Sequence, residues 1–251
     1  MSKILIVIPY LAKEAQGREL EYAIAGWRKH FMEDFKIVLT GEGLPKIPGR
    51  DIARVESNRI DAVPGQYRQH MDYVSCLMKV RKKYPDTDGF IMVADDCYAV
   101  NDFDMTEVKL LKMEKAVIDY DPMSPNMWRQ DALKTARALH EGGYPVRDFT
   151  THLPQWFEWE PLEYLWNKYD MLHNSYVVED LYYNIYDRDR LPLCLSDGPN
   201  NFKFTVSITR PSEEAIRHAL RTKIWINNNP DGWCPELENA LKDHFGNYLR
   251  K

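Results

Sequence analysis

Two adjacent carboxylates, Asp95 and Asp96, follow directly on the apolar run Phe90-Ile91-Met92-Val93-Ala94. Like charges that close repel, and burial disfavours both ionised forms. A hard divalent cation held by the carboxylate oxygens, itself bridging the phosphates of a nucleotide, resolves the cost. The competing reading is a strand end leading into an acid-rich turn, whose side chains cap the next segment. So apolar an approach, ending where open α/β sheets bind ligands, favours the metal or nucleotide site.

Glu179 and Asp180 form a second pair, at the start of Leu181-Tyr182-Tyr183-Asn184-Ile185-Tyr186. Acids at a helix N-terminus gain about 0.3–1 kcal/mol from the macrodipole. One of them could instead be a general base toward an acceptor hydroxyl, Asp180 first and Glu179 second. His152 sits in Thr151-His152-Leu153-Pro154, flanked by Trp156, Phe157 and Trp159. Its imidazole suits a metal, a donor phosphate or a structural hydrogen bond. Trp156 and its aromatic neighbours could be a platform for a sugar ring or a base, or equally a core wedge. His173, six residues before Glu179, has a weaker claim. Asn58-Arg59 and Tyr67-Arg68 border the crevice expected beneath a third strand, where arginine can pair with a diphosphate in two-pronged fashion. The run Asn227-Asn228-Asn229-Pro230-Asp231-Gly232 reads as turns, with a lid over the ligand as the sharper alternative.

The elements that must position these groups follow from periodicity. Ile4 to Ile8 is a continuous apolar, β-branched run, a strand buried on both faces. Leu20, Ile24, Trp27 and Phe31 recur at helical spacing, which predicts an amphipathic helix from Arg18 to Phe31. Phe35 to Gly41 is a second strand, so the opening unit is strand–helix–strand with a parallel, right-handed crossover. A weaker strand over Ala53–Ser57, a helix over Tyr67–Lys83 and the strand carrying the acid pair complete a doubly wound first half. Farther on, Glu107–Tyr120 mixes helix and strand character. Helices are expected over Trp128–Glu141, Glu160–Tyr169, Glu179–Asp187, Ser212–Arg221 and Pro235–Leu249. Strands are expected over Phe202–Ile208 and Ile224–Asn227. Ser212 suits an N-cap. The economical organisation is one domain over residues 1–251, with a nucleotide-binding half over 1–104 and an acceptor half over 105–251.

Composition narrows the classes. Hydrophobic residues at 44% and charged residues at 28% suit a globular enzyme. A net charge of −5 gives no electrostatic reason for general nucleic-acid binding. The four cysteines are scattered without a CxxC pair, which argues against a zinc knuckle or a disulfide framework and fits a cytoplasmic setting. The first apolar run is too short for a secretory core or a membrane span. Without a G-x-G-x-x-G fingerprint, P-loop, G-x-S-x-G elbow or HExxH, dehydrogenase, NTPase, hydrolase and zincin readings have no support.

Three segments carry a resemblance. Glu19-Leu20-Glu21-Tyr22-Ala23 followed by Phe35-Lys36-Ile37-Val38-Leu39-Thr40 is similar to the ELxY helix and succeeding strand of the Stealth family of capsule-type sugar-phosphate transferases. Ala94-Asp95-Asp96-Cys97-Tyr98 resembles that family's NDD segment, with Ala94 in place of asparagine, and the DxD-type metal site of GT-A-fold glycosyltransferases. Thr151-His152-Leu153-Pro154 resembles an HxP turn, and Ser175-Tyr176-Val177-Val178-Glu179-Asp180 the xED helix start of inverting GT-A enzymes. The resemblance implies a GT-A-like, Rossmann-like α/β fold: a mostly parallel sheet flanked by helices, with a helical C-terminal acceptor lobe. It implies a nucleotide-sugar donor and Mn²⁺ or Mg²⁺ bound by Asp96. Asp95 would lie beside the ribose or donor sugar, and Asp180 would be the base if the reaction inverts. The acceptor would be a hydroxyl on a glycan or a modified DNA base. Transfer of sugar 1-phosphate, or a binding module without turnover, are the alternatives.

Overall fold

The computed structural model describes residues 3–250. Side-chain alternation along β1 (Ile4–Leu11) assigns its residues to two cores, since successive strand residues face opposite ways. Leu5 and Val7 enter one core, Ile6 and Ile8 the other. After α1 (Glu19–His30) the chain returns as β2 (Phe35–Glu42), continues into β3 (Ile52–Glu56), and crosses through α2 (Arg68–Lys83) to β4 (Gly89–Met92). These four strands are parallel, and all of β4 is buried.

The remaining elements follow in order. They are β5 (Cys97–Ala99), α3 (Met105–Lys109), β6 (Lys112–Met113), α4 (Met127–Glu141), β7 (Gln155–Glu158), α5 (Trp159–Lys168) and α6 (Val178–Tyr186). Then come β8 (Leu193–Cys194), β9 (Lys203–Val206), α7 (Glu213–Thr222), β10 (Trp225–Asn228) and α8 (Pro235–Phe245). The central sheet has the order β3-β2-β1-β4-β7, with β7 antiparallel to β4. The expected α/β class, a mostly parallel sheet flanked by helices, is what the chain forms. The expected halves are interlocked, because β7 joins the sheet built by the first hundred residues. The later part also holds a second sheet, β5-β10-β9, alongside its helices.

α2, α5 and α6 cover one face of the central sheet, where Val74, Leu77 and Val80 meet Leu5, Val7 and Phe90. α1 covers the other face through Leu20, Ile24 and Trp27. It is not amphipathic as expected. Tyr22, Ala23 and Ala25 pack against Tyr98, Ile226 and Leu237, so the helix is wedged between two sheets. Gly26 allows this approach: a Cβ there would lie 2.7 Å from the Ala99 carbonyl oxygen. The Glu107–Tyr120 stretch resolves into α3, the two-residue β6 and irregular chain. The terminal helix ends at Phe245 and passes into a 3-10 turn. No helix among the described residues is long and apolar enough to cross a membrane.

Candidate active site

From β1 the chain winds outward through β2 to β3, then crosses to the opposite side of β1 to form β4. Loops leaving β1 and β4 therefore diverge, opening a crevice at the carboxyl ends of the parallel strands. A cavity of about 380 Å³ lies there. Tyr10 comes from β1, Gly41 from β2, Ser57, Asn58 and Arg59 from the end of β3, and Asp95 and Asp96 from the end of β4. Because β7 runs the other way, its beginning reaches this edge, and it contributes Gln155 together with Thr150 and His152 from the loop before it. Tyr67, His70, Asp72, Tyr73 and Cys76 line the cavity from α2 and its cap, and Glu179 from α6. Gly41 is required: its φ is +137°, and a Cβ would sit 2.0 Å from the Tyr10 carbonyl oxygen.

Asp95 and Asp96 form the tight turn between β4 and β5. Burial raises the Asp95 pKa to about 7, with Glu19 adding to the effect. Burial raises Asp96 to about 8, helped by the charges of Asp95 and Glu19. Asp96 Oδ1 is buried without a hydrogen-bond partner. Glu19, at the start of α1, is held by the Gln16 N–H at 2.9 Å and the Asn228 Nδ2 amide at 2.7 Å. The Tyr98 hydroxyl donates to Asn228 Oδ1 at 2.5 Å and so orients that amide. Lys203 lowers the Asp96 pKa slightly, but its ammonium pairs with Glu114 at 2.9 Å. Among the described residues neither Asp95 nor Asp96 has an ion-pair partner.

These acids fit a hard cation that brings its own additional ligands. Among the described residues no group of three or more His, Cys, Asp or Glu side chains could hold an ion by itself. The unanswered Asp96 oxygen and the suppressed ionisation suit an ion that binds through one or two carboxylates and takes water and phosphate oxygens for the rest, as Mg²⁺ does.

The other expected residues are distributed unevenly. Asp180 is a correction: its carboxylate is enclosed, and Oδ1 accepts the Phe149 N–H at 2.6 Å. Glu179, one residue earlier, is the acid that lines the cavity, and burial raises its pKa. His152 stands exposed on the wall, in the left-handed region at φ +55°; desolvation by the surrounding protein and the charge of Lys203 lower its pKa. Asn58 and Arg59 line the cavity. Arg59 Nε donates to Asp72 at 2.7 Å, and its Nη1 reaches Glu14 at 3.4 Å. Arg68 is outside the lining, 3.8 Å from Asp72. Trp156 is also outside: it packs against the α1-side core, with the Lys109 ammonium 4.9 Å from its ring centre. The aromatic cluster thus packs as core, as the wedge reading expects, and Trp156 contributes nothing to the cavity lining. His173 is exposed and pairs with Asp170 at 2.8 Å. Asn227 and Asn228 are strand residues of β10, not a lid.

Sequence reasoning passed over Glu19, His70 and Tyr73 as site residues. Burial raises the Tyr73 pKa, and the charges of Asp95, Glu179 and Asp96 add to it, so the phenol shares the cavity with all three acids. For His70 and Tyr73 the signal was their three-residue spacing, which puts them on one side of a helix.

No family model matches the chain, and no curated protein does. Among solved structures it is similar to a glycosyltransferase involved in the glycosylation of the major capsid of PBCV-1. That match has 10% identity and a TM-score of 0.44, and covers 97% of this chain and 99% of the other. It is also similar to the galactosyltransferase LgtC in complex with donor and acceptor sugar analogs, with 11% identity and a TM-score of 0.48 over 98% and 95% of the two chains. An active-site mutant of LgtC matches with 12% identity and a TM-score of 0.48 over 97% and 96%.

Proposed function

We propose that the chain transfers a sugar from a nucleotide-diphosphate donor to a hydroxyl acceptor within this cavity. The observation that carries the reading is the buried, unpartnered Oδ1 of Asp96 beside Asp95, at the point where the strand order reverses. Mn²⁺ or Mg²⁺ would be held by Asp96 with Asp95 adjacent, and when bound supplies positive charge to the diphosphate oxygens. Asn58 and Arg59 line the donor side, where the guanidinium can exchange its long contact with Glu14 for a phosphate oxygen. Glu19 fixes the turn's surroundings through Asn228. Glu179, across Tyr73, offers a carboxyl group to hold the incoming hydroxyl. At about 380 Å³ the cavity is within the range that encloses small ligands.

A panel of nucleotide sugars tested by thermal shift with and without Mn²⁺ examines this directly. The expected result is a Mn²⁺-dependent shift with a nucleotide-diphosphate sugar, lost in Asp96→Asn, and release of nucleoside diphosphate on turnover. Release of nucleoside monophosphate would instead mark transfer of a sugar 1-phosphate. No shift with any donor would overturn the reading.

A further inference from the structure

His70 and Asp131 are both almost wholly buried, yet the His70 ring lines the cavity. His70 Nδ1 lies 3.0 Å from Asp131 Oδ2, which also accepts the Tyr67 N–H at 3.1 Å. Facing a carboxylate acceptor, Nδ1 carries the hydrogen, and whenever the ring is neutral the lone pair is on Nε2. Nε2 has no protein hydrogen-bond partner among the described residues. Asp131 is itself well anchored. Its carbonyl accepts the Thr135 hydroxyl at 2.8 Å, and that hydroxyl accepts the Val177 N–H, the cap of α6, at 3.0 Å. The groups facing the ring are Asp131 from α4, Glu179 from α6, and Tyr67 edge-on at 5.1 Å, with Tyr73 one helical turn along α2. A carboxylate behind an imidazole that lines a ligand cavity with its second nitrogen unpaired is an acid–base arrangement.

We propose that His70, oriented by Asp131, accepts the proton of the incoming hydroxyl; this rests on the glycosyl-transfer reading of the cavity. The acceptor oxygen forms its bond to the anomeric carbon as its proton passes to Nε2. The bond from that carbon to the diphosphate oxygen breaks, and its electron pair leaves with the diphosphate. Asp131 is a positioning residue: it fixes the tautomer and stabilises the imidazolium until the proton is returned to solvent.

The test compares full-length wild type, His70→Gln and Asp131→Asn at saturating Mn²⁺. Donor-induced thermal shift should survive in both variants, while kcat falls about 10²- to 10⁴-fold with little change in donor KM. His70→Gln should also lose the acid limb of the pH–rate profile. Asparagine can donate to Nδ1, so ¹⁵N spectra should report the Nδ1–H tautomer of His70 in wild type and the Nε2–H tautomer in Asp131→Asn. Wild-type transfer that persists unchanged in His70→Gln sinks this assignment alone. If that variant fails to fold, an Nε2–H tautomer in wild type sinks it instead. A wild type that neither binds nor turns over any nucleotide sugar overturns the transfer reading, and the role of His70 with it.

Discussion

Asp95 with Asp96, and Asp148 with Asp180, are two acid pairs drawn out of water to opposite ends. In the second pair three of the four oxygens are answered. Asp148 Oδ1 accepts the Thr150 N–H at 2.9 Å and its hydroxyl at 2.5 Å, Asp148 Oδ2 accepts the Tyr120 hydroxyl at 2.8 Å, and Asp180 Oδ1 accepts the Phe149 N–H. In the first pair Asp96 Oδ1 has nothing. Burial raises the pKa of Asp180 as it does that of Asp96, so a raised pKa alone does not mark a site. What distinguishes them is an unanswered oxygen next to a cavity. The satisfied pair shapes the loop that carries His152; the other borders the cavity with an oxygen unpaired.

The largest effect should separate the pairs outright. Asp96→Asn is expected to lower Mn²⁺-dependent turnover about 100-fold or more, while the metal-free protein at pH 8 melts no lower than wild type. Steady-state assays beside melting curves would check both halves. Asp180→Ala should do the reverse. It strands the Phe149 N–H at a cost of about 1–3 kcal/mol, so the melting temperature falls by roughly 3–10 °C. Mn²⁺-induced stabilisation of the folded fraction should persist. Loss of that stabilisation in Asp180→Ala, with retention in Asp96→Asn, would invert the comparison.

A pH series sharpens it. Asp95 and Asp96 hold protons to about 7 and 8 in the folded chain, against a reference carboxylate value of 3.8. The folded state thus binds more protons than the unfolded one between those limits, and metal-free stability should decline as pH rises from about 4 to 8. Mn²⁺ should restore it most at the alkaline end, because the cation needs the ionised pair. Melting curves at pH 5 and 8, each with and without Mn²⁺, read this directly. Equal metal responses at both would count against the acid pair as the binding point.

The smallest effect concerns a buried titratable pair remote from the cavity. His30 Nε2 and His244 Nε2 are 3.1 Å apart, and burial, with Lys29 and His30, lowers the His244 pKa to about 4. The folded value is depressed below the ordinary 6.5, so this contribution is present above pH 6.5 and lost as pH falls toward 4. His244→Gln should flatten the acid side of the melting-temperature profile and leave the Mn²⁺ response at pH 8 untouched.

Long apolar runs made β1, β2, α2 and β4 legible, and with them the place where the acid pair emerges. Three short strands were not legible: β5, β7 and β8 owe their form to partners, not to their own pattern. α1 read as one-sided because the second sheet that covers it is formed much later in the chain. The choice between Glu179 and Asp180 turned on one residue, which on a helix is a rotation of about 100°. His70 and Asp131 are 61 positions apart, and no local spacing announces such a pairing. The motif likeness to the Stealth family finds no matching family model.

α1 is covered in part by β10, a strand made long after it in the chain. Until Asn228 has emerged, Glu19 lacks the amide that steadies it, and Tyr22, Ala23 and Ala25 lack the cover of Ile226 and Leu237. Part of that apolar helix face therefore stays open until β10 has been made, and Glu19 gains its amide partner only when that strand folds back onto α1.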